Sequence, residues 1–135
     1  MPVPLRLLVL LVALAPVAGA QMLPSGTWTG TLTDADGDRH AIEAEIERCA
    51  SGFTVDVTVD GRTATVSEDA PAIWERGRLR FTTSRVRLPG ALLPRALACD
   101  LSADAEGALR GTCAVGRGRV RMELVPPADA AFGCD

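Results

Sequence analysis

The chain has 135 residues, a formal net charge of −3 and a mean hydropathy of +0.18, with 14 basic residues that are all arginine, 17 acids, four cysteines and no tyrosine. That length supports one domain around one core. The slight acidity, and arginines that are not interleaved with aromatics, give no support to nucleic-acid binding, and the missing tyrosine removes a main recognition residue of protein interfaces.

Residues 1–20 are expected to lie outside the fold as a signal peptide. Met1 to Arg6 carries one positive charge, Leu7 to Leu14 is apolar without interruption, and Ala18-Gly19-Ala20 is a small-x-small cleavage site ahead of Gln21. The apolar run is shorter than the about 20 residues needed for a membrane span, so none is expected. The exported chain is then Gln21 to Asp135, 115 residues with 13 Arg against 17 acids, a single β-domain bound for the periplasm or the exterior.

The first strand is set by Gly26-Thr27-Trp28-Thr29-Gly30-Thr31-Leu32-Thr33. Threonines occupy one face and Trp28, Gly30 and Leu32 the other, the period of a half-buried strand. The cluster Asp34-Ala35-Asp36-Gly37-Asp38 turns it. Ile42, Ala44 and Ile46 then alternate with Glu43, Glu45 and Glu47; on a helix this alternation would scatter charge around the axis, so a strand is predicted. Phe53, Val55, Val57 and Val59 face inward in the next strand, and Asp60-Gly61 is a two-residue hairpin signal leading to a weaker strand over Arg62 to Ser67. Ala72 to Glu75 is a short segment, Arg76-Gly77 a turn, and Arg78 to Thr83 a strand with Leu79 and Phe81 inward. Proline and glycine interrupt Ser84 to Arg95. Three strands follow, over Ala96–Leu101, Ala108–Val115 and Arg119–Val125, divided by Asp104-Ala105-Glu106-Gly107 and Gly116–Gly118.

Eight or nine short strands joined by tight turns, with no helix, predict an all-β fold: an antiparallel up-and-down barrel of about eight strands. Such a barrel is filled by side chains or holds one small ligand. An even cysteine count in an oxidising compartment implies two disulfides. Cys99 and Cys113 fall on the inward face of consecutive strands and are predicted to pair, leaving Cys49 for Cys134.

Gly26-x-Trp28-x-Gly30 on the first strand, the export signal and the barrel pattern together resemble the lipocalin-like (calycin) superfamily, and the short chain is closer to its small bacterial barrels. The resemblance implies a first-strand tryptophan closing one barrel end and a last-strand arginine at Arg119 or Arg121. It also implies binding, gives no reason to expect catalysis, and offers a protease-inhibitor type of action as an alternative; separately, no cofactor is expected.

Candidate sites follow. His40, the only histidine, has no neighbouring nucleophile, so an enzyme is not expected. Asp34, Asp36 and Asp38 open like a calcium loop with Glu45 twelfth, but Arg39 stands where the loop glycine is required, which favours a solvated turn. The candidate ligand-binding set is Trp28, Phe53, Val55, Leu79, Phe81, Leu88, Leu92, Leu93 and Met122: an uncharged interior for a small apolar ligand, with the Arg85–Arg95 loop as plug, lid or contact surface. Charge is split, 3 Arg against 11 acids over Gln21–Glu75 and 10 Arg against 3 acids over Arg76–Arg121. The arginine rows Arg76/Arg78/Arg80 and Arg119/Arg121 are expected to meet an anionic partner, to support self-association, or to form salt bridges across the barrel seam.

Overall fold

The computed structural model describes residues 22–49, 52–67 and 69–128. Nine strands follow one another: β1 (Gly26–Thr33), β2 (Arg39–Cys49), β3 (Gly52–Val59), β4 (Arg62–Thr65), β5 (Ile73–Glu75), β6 (Arg78–Thr82), β7 (Ala98–Ala103), β8 (Leu109–Val115) and β9 (Gly118–Val125). No helix occurs among the described residues, and none there is long and apolar enough to cross a membrane.

All nine strands form one antiparallel sheet in the order β4-β3-β2-β1-β9-β8-β7-β6-β5, curled into a half-barrel. The alternation predicted from the sequence sets the faces: Trp28, Leu32, Ile42, Ala44, Ile46, Val55, Val57, Leu79, Leu101, Leu109, Met122 and Leu124 are buried in one core, with charged and threonine side chains outward. The hairpins at Asp60-Gly61 and Arg76-Gly77 place both turn residues at positive φ (52° and 77°; 52° and 78°), the geometry whose twist matches that of paired strands.

The strand order is that of the predicted up-and-down barrel, first and last strands paired with Gly30 opposite Leu124 and Leu32 opposite Met122, but the barrel stays open between β4 and β5, which are the two outer edges. Isolated bridges span the opening beside those edges, Phe53 of β3 with Ala72 just before β5 and Val66 just after β4 with Thr83 just after β6, reinforced by Ser84 N donating to Thr65 O at 2.7 Å. The physical reason is the polar segment after Thr65, ending in Pro71, which has no amide hydrogen to continue a ladder.

Cys99 and Cys113 are directly opposite in the β7–β8 register and form a disulfide in the core. It is the one disulfide among the described residues; the expected partner pair Cys49–Cys134 rests on Cys134 and on a Cys49 side chain that lie outside them, as does the expected signal segment.

Candidate functional site

The two ends of the half-barrel differ. At one end lie the 34–38 turn, the 116–117 turn and the 84–97 loop; at the other, the 104–107 turn and the chain entering and leaving at Pro24 and Pro126.

The 84–97 loop is more ordered than its composition suggests. Val86 and Arg95 form a two-bond bridge (N···O 2.9 and 3.0 Å), Ala91 N donates to Leu88 O at 3.0 Å, and Gly90 supplies a φ of +82°. Arg87 Nε donates to Ala91 O at 3.1 Å and so ties the tip to its stem. The loop is therefore a small hairpin. The sequence signal for it was the turn dipeptide Pro89-Gly90; the role of Arg87 had none. Val86 and Leu88 anchor the hairpin in the core, while Leu92 and Leu93 are 89% and 58% exposed. One flank of the loop is thus buried against the core and the other exposed.

Beneath this hairpin a cavity of about 390 Å³ opens to solvent. Leu32, Leu88, Val115 and Val120 give it apolar walls, and Asp36, Asp38, His40 and Arg119 stand at its rim. Asp34 Oδ1 accepts from the amides of Asp36 and Asp38, both at 2.9 Å, and Oδ2 accepts from His40 Nε2 at 3.0 Å. The His40 hydrogen bond holds the Asp34 carboxyl below its ordinary value, with the two amides adding to it and burial opposing it. Both oxygens of Asp34 are thus engaged inside the turn, although its carboxylate lies within reach of those of Asp36 and Asp38. Glu45 is on regular strand β2, accepting from Thr27 Oγ1, so the loop that a calcium site requires is not formed around it. His40 has no hydroxyl or thiol hydrogen-bonded to it among the described residues.

The predicted ligand-binding residues separate into three groups. Val55, Leu79 and Met122 are fully buried and line no cavity, Phe81 is almost fully buried, and Trp28 is buried but stands against the second cavity described below. Phe53 is half-buried at the β3–β5 junction, and Leu88 lines the rim cavity. Leu92 and Leu93 point away from both core and cavity. Trp28 stands at the opposite end, its Nε1 donating to Pro24 O at 3.0 Å beside a second cavity of about 310 Å³ that it shares with Trp74 and Leu109.

The small interior residues do not create space. A Cβ on Gly30 would lie 1.7 Å from the Glu123 carbonyl oxygen, and one on Gly111 2.0 Å from that of Asp100. Each glycine is where the neighbouring strand's backbone closes over the pleat.

The charge split becomes spatial, because β1–β4 form one half of the sheet and β5–β9 the other. The expected salt bridges across the β1–β9 seam are not found among the described residues. The ion pairs there, His40–Asp34, Arg78–Asp100 and Arg110 with Asp104 and Glu123, all stay within one half. Threonines of β1 face β9 across the seam instead, Thr31 opposite Glu123 and Thr33 opposite Arg121. Arg119 and Arg121 are both exposed, and Arg119 alone reaches the rim cavity. No protein-family model, curated protein or solved structure matches the chain.

Proposed function

We propose that this is an exported, non-catalytic binding domain, lipocalin-like in kind, that acts through the rim carrying the 84–97 hairpin rather than through a ligand held in its interior. The observation that carries this reading is the contrast within one apolar set. Val55, Leu79 and Met122 leave no space for a guest beside them, while Leu92 and Leu93, held on a hydrogen-bonded hairpin, are given to solvent. Exposed leucines on an anchored loop are a contact surface, since burying them elsewhere would recover about 1.5–3 kcal/mol each.

A second reading, a small apolar ligand, has the rim cavity in its favour, walled by Leu32, Leu88, Val115 and Val120. The first-strand tryptophan at a barrel end supports kinship with lipocalin-like barrels, and the Cys49–Cys134 link belongs to the same proposal. Native mass spectrometry of the exported protein, combined with photo-crosslinking, separates the two functions. Contact through the rim gives a chain with no small molecule attached and crosslinks from position 93 but not from outward-facing Glu43. A stoichiometric apolar molecule co-purifying with the chain, with position 93 silent, replaces this reading by the second.

A further inference from the structure

We propose that the contact surface on this rim is for an anionic lipid bilayer, with Leu92 and Leu93 entering the headgroup boundary and a collar of arginines meeting the phosphates; this rests on the rim-contact reading above. Five exposed arginines belong to the hairpin, its neighbouring turn and the start of β9: Arg85, Arg87, Arg95, Arg117 and Arg119. None of the ion pairs among the described residues involves any of them. They are gathered by tertiary structure. The Arg95 side chain lies 3.5 Å from where a Cβ on Gly116 would stand, which brings the hairpin stem against the turn bearing Arg117, and Arg119 shares the rim cavity with Leu88–Ala91. The exposed acids at this end stand apart from the hairpin: Asp36 and Asp38 line that same cavity opposite it, and Asp60 lies on the β3–β4 turn beside Ala41 and Ile42 of β2. The molecule therefore approaches with the hairpin and the 116–117 turn foremost.

Two features favour a lipid surface over an acidic protein. The leucines stand out from the fold instead of lining a groove, and a fluid interface needs no complementary shape to receive them. Among the described residues no aromatic anchor of the kind that concentrates energy in protein interfaces stands on this rim: the chain has no tyrosine, Trp28 and Phe81 are buried, Phe53 is half-buried against Ala72 at the start of β3, and Trp74 lies at the opposite end. Apolar insertion and anionic attraction supply two signals, and interfacial anchoring requires both.

The test is co-sedimentation of the chain from Gln21 onward, which carries all nine strands, with vesicles of phosphatidylcholine alone or mixed with phosphatidylglycerol. Binding is expected only to the anionic vesicles and is expected to weaken as salt rises. L92D/L93D should lose at least about tenfold in affinity, and R85Q and R117Q about fivefold each. All four positions are exposed, so an unchanged melting midpoint confirms that each variant is folded. Equal binding to neutral vesicles, binding unaffected by L92D/L93D, or no binding to anionic vesicles overturns the proposal. In the last case, crosslinking from position 93 decides what survives. Crosslinks to an exported protein that L92D abolishes keep the rim-contact reading with a different partner, and silence at position 93 removes both.

Discussion

Gly30 shows how one residue fixes the curl of the sheet. Its position in the threonine-rich first strand marks it as inward, but the reason for glycine emerges only where β9 crosses it with the Glu123 carbonyl in the place of a side chain. Gly30→Ala is expected to cost about 3 kcal/mol in urea unfolding, since the obstacle is backbone and cannot swing aside. Two aspartates give opposite pH behaviour. Asp34 has its carboxyl lowered from 3.8, chiefly by the His40 hydrogen bond, so its contribution is present above the unfolded value and lost as pH falls through the folded one. Asp56 is raised from 3.8, first by burial and then by Glu45, its direct cross-strand neighbour, so stability declines as pH rises from the unfolded value through the folded one. Asp56→Asn should therefore stabilise the fold at pH 7 by about 0.5 kcal/mol, and Asp34→Asn should weaken it and remove part of the acid transition. Carboxyl titration by NMR, with thermal melts between pH 2 and 7, checks both signs.

Among the elements, two hairpins use the same device. Asp34 and Asp104 each begin a five-residue connection and accept, through Oδ1, from the amides two and four residues on. Each also turns Oδ2 towards a base six residues on, His40 at 3.0 Å and Arg110 at 3.5 Å. The Asp/Gly composition announced turns at both places; the basic partners were not legible, because they depend on the β-register that follows. The β7–β8 pair is also the stapled one. Cys99 and Cys113 close a separation of 14 residues, so the Cys99→Ala/Cys113→Ala double variant should lose about 3 kcal/mol by denaturant titration. Strand alternation and turn position were enough to foresee that pair, since an inward parity on two hairpin-linked strands leaves little freedom in where the sulfurs lie.

For the whole molecule, the sheet turns a split along the sequence into a split in space. The acidic first half of the chain and the arginine-rich second half become the two sides of the half-barrel, joined at β1–β9 by threonines rather than ion pairs. Arginines that the sequence spreads from Arg85 to Arg119 come together on one rim because the 84–97 hairpin folds back beside the 116–117 turn. The direction of that fold-back is set by Val86 and Leu88, which are buried and so leave Leu92 and Leu93 on the far side of the turn.

By itself the sequence determined the all-β class, the inward and outward faces of the strands, most turns and the Cys99–Cys113 pairing. These follow from a side-chain period of two and from local turn chemistry, which neighbours in the chain impose on one another. Only the tertiary structure decided that the barrel stays open between β4 and β5, that Val55, Leu79 and Met122 leave no space beside them, and which leucines of one apolar loop are buried. Those outcomes depend on packing between segments far apart in sequence, where the space left by one strand is set by the backbone of another, and no local pattern records that space.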